Sequence, residues 1–199
     1  MGTASTAGYV LVGGRSIRFG ADKALAEWQG QPLAVWVAER VRGAAGSVTL
    51  VGSPERYQAL GLPVIADQTL GLGPLGGIMA ALQHSAADWN LIVACDLPHV
   101  TTEFLQYLLR LAQEDTADVL MPLDRDDRDE PLCAVYARRC YGPIDAAVAQ
   151  GVRKVTEAFA GLRVRRMSHA AYAALDPDGR LFANLNTRDE LEAAQGRHA

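Results

Sequence analysis

Short segments dominated by apolar residues recur at 9–12, 47–51, 63–67, 91–96, 118–123 and 131–136, most of them capped by Gly, Pro, Asp or Ser, and two late segments with interspersed polar residues follow at 164–167 and 181–185. Runs of this length, rich in β-branched and aromatic residues, predict strands. Between them, apolar positions return with helical spacing at 34–41, 78–82, 102–111, 144–148 and 155–159, with a short helix around Tyr57 and Pro32 standing where a helix begins. Strands that alternate with helices predict a parallel sheet. The run 91–95 is apolar without interruption, the pattern of a central strand covered on both faces, and it closes on Asp96-Leu97-Pro98.

The chemistry gathers where these runs end. The first strand opens into Leu11-Val12-Gly13-Gly14-Arg15-Ser16-Ile17-Arg18-Phe19-Gly20-Ala21-Asp22-Lys23. Paired glycines let backbone N–H groups face an anion, and Arg15, Arg18 and Lys23 put three cations in the same loop. A polyphosphate fits this cradle better than a single carboxylate. Neither the Walker A spacing nor the G-x-G-x-x-G fingerprint is met. A second glycine cluster, Gly71-Leu72-Gly73-Pro74-Leu75-Gly76-Gly77, runs into the helix at 78–82, where backbone can approach a nucleoside closely. An unpaired carboxylate is costly inside an apolar core, which places Asp96 at the carboxyl end of its strand, where open α/β sheets bind ligands. A hard cation is its natural partner, since Mg²⁺ is commonly held by one or two carboxylates plus phosphate oxygens. Asp67 closes a brief strand in the same manner.

Composition narrows the alternatives. With 199 residues, 49% of them hydrophobic, the chain suits one domain over 1–199, with flexible ends expected at 1–7 and 196–199. A net charge of −4 argues against a nucleic-acid surface. No apolar run approaches the roughly 18 residues of a membrane span and the start lacks a basic n-region, so a cytoplasmic protein is expected. Cys95, Cys133 and Cys140 show no C-x-x-C spacing and are read as buried, reduced thiols. His84, His99, His169 and His198 suggest no catalytic triad. The charged run 124–130 lacks the spacing of a calcium loop and reads as a solvated hairpin. Thr187 and Glu190 have the spacing of a capping box.

The first loop resembles the signature L-x-G-G-x-S-x-R-x-G-x-D-K of nucleotidyltransferases, in the form found in molybdenum cofactor guanylyltransferases (MobA-like proteins); Val12 and Phe19 depart from it, where the family usually has Ala and Met. Gly73, Pro74, Leu75 and Gly77 are similar to the family's G-P-L-x-G segment, Pro131, Leu132 and Tyr136 to its P-L-x-x-x-Y, and Asn184, Asn186, Thr187 and Leu191 to its N-x-N-T-x-x-E/D-L ending. The resemblance implies a three-layer α/β/α, Rossmann-like nucleotidyltransferase fold with a mostly parallel twisted sheet. It implies nucleotide contacts at Leu11, Val12, Gly13, Gly14, Ser16, Lys23, Asp67, Gly73, Pro74, Leu75, Gly77 and Asp96, acceptor contacts at Asn184 and Asn186, and catalysis by Arg18, Lys23 and Asp96 with Mg²⁺, or Mn²⁺, on Asp96. Asp67 would orient the nucleoside or a metal-bound water. The implied reaction moves GMP from GTP to the terminal phosphate of molybdopterin and releases pyrophosphate, with molybdoenzyme chaperones or other cofactor-biosynthesis proteins as partners. A cytidylyltransferase for the same cofactor, a sugar-phosphate nucleotidyltransferase, and a non-catalytic GTP-binding delivery protein stand as alternatives.

Overall fold

Strand β1 (Thr6–Leu11) carries the alternation that sets the layers. Residues of one parity face one side of a sheet and those of the other parity face the opposite side. Gly8 faces helix α1 (Leu33–Ala45), where an added Cβ would lie 2.4 Å from Val41 Cγ1. Tyr9 and Leu11 face helix α3 (Pro74–His84): the Tyr9 hydroxyl lies 3.1 Å from His84 Nδ1, and Leu11 Cδ2 would lie 3.1 Å from a Cβ at Gly77. Helices therefore cover both faces, as the three-layer expectation requires. The computed structural model describes residues 4–12, 22–67, 71–185 and 190.

Among the described residues, seven strands form the main sheet, in the order β5-β4-β1-β6-β8-β7-β9. β4 (Thr49–Val51) and β6 (Trp89–Ala94) flank β1 in parallel, and β5 (Val64–Ile65) extends the parallel set beyond β4. β8 (Cys133–Ala137) runs antiparallel to both β6 and β7 (Val119–Pro122), and β9 (Val164–Met167) pairs in parallel with β7. The sheet is mostly parallel, as predicted. All six residues of β6 are buried, in keeping with its continuous apolar run. On one face α1 packs against α4 (Thr102–Glu114), and on the other α3 packs against α5 (Tyr141–Ala149). A four-residue helix, α2 (Pro54–Tyr57), follows β4.

Several boundaries move from their sequence-based positions. β1 starts at Thr6, not at residue 9, and Thr6 and Ala7 pair with Trp89 and Asn90, so the flexible N-terminal segment expected through residue 7 does not include them. Helix α3 starts at Pro74. Gly76 and Gly77 thus lie inside its first turns and not in a turn before it. The strand predicted at 181–185 does not form. Its apolar residues anchor an irregular segment instead: Phe182 packs edge-on to Phe104, with centroids 5.7 Å apart, and Leu185 joins a small cluster with Trp28 and Leu33. That cluster rests on a hairpin the apolar pattern did not show, β2 (Glu27–Trp28) and β3 (Gln31–Pro32). Its central residues Gln29 and Gly30 both have positive φ, 51° and 80°, the sign a type I′ turn demands.

Cys95, Cys133 and Cys140 are free and buried, as expected, and burial pushes the Cys95 and Cys140 thiols up to about 12. The charged turn is only in part the solvated hairpin predicted. Arg125 to Arg128 are exposed, but Asp124 is buried, and its carboxylate accepts the backbone N–H groups of Asp126 at 2.8 Å and Arg128 at 2.9 Å. The capping box at Thr187, and His198, lie outside the described residues.

Candidate active site

The chain runs outward from β1 to β4 and β5, then returns to place β6 on the other side of β1. The crevice at the carboxyl ends of β1 and β6 is therefore the topological switch point, where open α/β sheets bind ligands. The segment 13–21 leaves β1 there, and Asp96 follows β6 there. The Cys95 N–H donates to the Leu11 carbonyl at 3.1 Å, which carries the ladder one step beyond β6 and fixes Asp96 beside the mouth of the loop.

On the far side of that loop Asp22 caps a single 3-10 turn, Lys23–Leu25, by accepting the Ala24 N–H at 3.1 Å. The turn sends Lys23 inward. Its ammonium donates to Asp96 Oδ2 at 3.1 Å, with the side chains 11% and 30% exposed. Burying an ammonium to that degree without an anion is costly, so the pair explains how Lys23 can be buried. It also brings together the two residues the sequence singled out for charge chemistry, 73 positions apart. Asp96 also accepts the Leu185 N–H on its backbone oxygen at 3.3 Å, which draws exposed Asn184 to the same edge.

The remaining sequence-predicted residues divide by accessibility. Gly13, Gly14, Ser16, Arg18 and Asn186 lie outside the described residues. Val12 spends both backbone groups on the protein: its N–H donates to Val51 O at 3.0 Å and its carbonyl accepts the Tyr57 hydroxyl at 2.7 Å. Leu11 is buried in the ladder between β4 and β6. Gly73 and Pro74 are exposed at the start of α3, and Gly73 has φ +55° with open space where a side chain would stand, so only glycine holds this backbone without strain. Leu75 is fully buried and serves the core. Asp67 is half-buried just past β5, three strands from β6 and hence roughly 14 Å across the sheet from the Asp96 strand.

Gly77 needs a different explanation from the one its motif suggested. The space beside it belongs to Leu11, whose Cδ2 would lie 3.1 Å from a new Cβ, and is not open to a nucleoside. Gly77→Val is accordingly expected to overpack the α3–β1 contact and destabilise the fold by about 1–3 kcal/mol, read as a lowered thermal midpoint without nucleotide present. An unchanged midpoint would return Gly77 to the ligand side.

Two groups near the site carried no sequence signal. Tyr57, 3% exposed, donates to Val12 O and lies 2.9 Å from Asp22 Oδ2. Glu130 sits just before β8, half-buried, with its acid pushed up to about 7 by burial first and then by the Asp124 charge, with Asp96 contributing. A carboxyl raised in the folded chain favours folding below its unfolded value, and that advantage is lost as pH rises through about 7. Glu130→Gln is therefore expected to melt roughly 2–4 °C above the parent protein at pH 8 and level with it at pH 4. His99 has a packing role: it stands edge-on to Trp28, with centroids 5.6 Å apart.

A single-carboxylate cation site fits what is present. Asp96 already accepts a cation, the Lys23 ammonium, and keeps a partly exposed carboxylate at the crevice. Among the described residues no group of three His, Cys, Asp or Glu side chains gathers to hold a metal. One carboxylate supplemented by phosphate oxygens is an ordinary Mg²⁺ arrangement.

The model of the MobA-like NTP transferase domain matches residues 8–171 of this chain. The chain belongs to that family. As a MobA-like nucleotidyltransferase it is an enzyme, and the α/β fold is the one such enzymes share. A molybdenum cofactor guanylyltransferase of Desulfosudis oleivorans is 33% identical over 190 residues, covering 94% of this chain and 93% of the relative. A probable molybdenum cofactor guanylyltransferase of Pelotomaculum thermopropionicum is 34% identical over 189 residues, covering 94% and 91%. The crystal structure of molybdopterin-guanine dinucleotide biosynthesis protein A from Archaeoglobus fulgidus superposes with a TM-score of 0.83 at 29% identity, covering 96% of this chain and 98% of that one. No helix among the described residues of this MobA-like chain is long and apolar enough to cross a membrane.

Proposed function

We propose that this MobA-like enzyme transfers GMP from GTP to the terminal phosphate of molybdopterin, forming molybdopterin guanine dinucleotide and pyrophosphate. The observation that carries the reading is the Lys23–Asp96 pair, 3.1 Å apart at the switch point of a MobA-like sheet; the choice of guanine and molybdopterin follows the names of the relatives. The acceptor phosphate is already ionised, so no general base is required, and the barrier falls by orientation and by neutralising oxyanion charge.

Asp96 would hold Mg²⁺ or Mn²⁺, which when bound supplies positive charge to the phosphate oxygens around the reacting phosphorus. Lys23 holds an ammonium at the same edge. A polyphosphate entering the crevice offers that ammonium a second anion, and the pair then shares its charges between carboxylate and phosphate. Arg18, Ser16 and the Gly13 and Gly14 backbone take their place on the leaving pyrophosphate on the strength of the loop motif. Gly73 and Pro74, exposed at the start of α3, face the nucleoside, and Asn184, beside Asp96, faces the acceptor with Asn186. Asp67, across the sheet from Asp96, serves the nucleoside and not the metal. The enzyme works in the cytoplasm and passes its product to molybdoenzyme chaperones or other cofactor-biosynthesis proteins.

The test is a panel of GTP, CTP, ATP and UTP, each with purified molybdopterin and Mg²⁺, scored by product mass. The guanine dinucleotide is expected as the dominant product. A cytosine dinucleotide would assign the chain to the sibling reaction, and nucleotide binding without any product would make it a delivery protein.

A further inference from the structure

One buried hydroxyl touches both residues that bound the segment 13–21. Tyr57 Oη lies 2.7 Å from the Val12 carbonyl, just before the segment, and 2.9 Å from Asp22 Oδ2, just after it. The hydroxyl has one proton and faces two acceptors, so it ties the two ends to a single point. The ring is held in turn. Tyr57 is 3% exposed and closes against Gly52, where a Cβ would come within 2.9 Å of Tyr57 Cε2 and 2.8 Å of Val12 Cγ2. Burial and the neighbouring Asp22 carboxylate raise the phenol well above its ordinary value, which keeps the bridging proton in place at neutral pH. The other Asp22 oxygen accepts the Ala24 N–H at 3.1 Å and so fixes the turn from which Lys23 reaches Asp96.

We propose that Tyr57 is a positioning residue for transfer: by holding Val12 and Asp22 to one point beside the end of β1, it fixes the turn that aims Lys23 at Asp96. The inference rests on the reading of that pair as the reaction centre. Tyr57 itself stands behind Asp22 and touches neither Asp96 nor Lys23 by hydrogen bond. Its effect is therefore geometric, and small displacements of a charge that stabilises a transition state cost more in turnover than in ground-state binding.

The test is Tyr57→Phe, which keeps the packed ring and removes only the hydroxyl, measured in the full-length chain in two ways. Without any substrate, hydrogen exchange at the Ala24 amide is expected to speed up by roughly tenfold as Asp22 loses its anchor. With GTP, molybdopterin and Mg²⁺, kcat is expected to fall by roughly tenfold while KM for GTP stays within about threefold. Asp22→Ala, which spares the Tyr57–Val12 bond but cuts its link to the turn, is expected to show the same loss of kcat. Parent-like protection at Ala24 in Tyr57→Phe, or parent-like kcat in either variant, overturns the proposal. If the parent protein itself yields no product from GTP and molybdopterin, the substrate reading fails, and exchange at Ala24 still decides whether Tyr57 anchors the turn.

Discussion

Lys23→Ala is expected to lower the rate of nucleotidyl transfer by about 10²-fold or more, the usual loss when one preorganised contact to developing phosphate charge is removed. The folded state should survive the change. Asp96, 30% exposed on its side chain, can be hydrated once its partner is gone, and the cap that builds the Lys23–Leu25 turn uses Asp22 and the backbone, not the ammonium. Lys23→Met separates charge from bulk, because it keeps the apolar stem in the space Lys23 fills at 9% exposure. Both variants should therefore melt near the parent protein and be similarly inactive. If either turned over within about threefold of the parent, Lys23 would be no more than the counter-ion that lets Asp96 sit at the strand end.

Lys23 and Asp96 are both legible in the sequence, because each stands in a short contiguous pattern that follows an apolar run. The same holds for β6, whose buried core 91–94 is an uninterrupted apolar run. What the sequence hid depended on contacts between distant positions. Tyr57 acquires its role from Val12 and Asp22, 45 and 35 residues away, and nothing in its neighbourhood announces a bond to either. Glu130 looked like one more surface charge in an acidic turn until the fold half-buried it near Asp96. Gly77 shows a second kind of ambiguity: a missing side chain serves a ligand or a neighbouring strand equally well, and only the position of Leu11 decides. At 181–185 the apolar content was real but its use was misread, since Leu181 fills the main core while Leu185 anchors an irregular segment against Trp28 and Leu33.

Asp96→Asn probes the other half of the pair. The amide preserves the shape and can still accept from Lys23 Nζ, so the geometry at 3.1 Å has no reason to collapse. It removes the charge that recruits a hard cation, and with it the condition for concentrating positive charge at the phosphates. The loss should be at least as large as that for Lys23→Ala and should not be recovered by raising Mg²⁺. A purely structural Asp96 predicts otherwise. In that case the carboxylate would serve only to accept from Lys23 and to lead into Pro98, and asparagine would substitute with little cost.

The most direct measurement is pyrophosphate release followed through a Mg²⁺ titration of the parent protein and Asp96→Asn, with thermal melts alongside. Saturable Mg²⁺ activation of the parent, and turnover lower by at least about 10²-fold in a normally folded Asp96→Asn at every Mg²⁺ concentration, is the predicted result. One shared metal dependence and one shared turnover number would contradict it, and would move the metal away from Asp96.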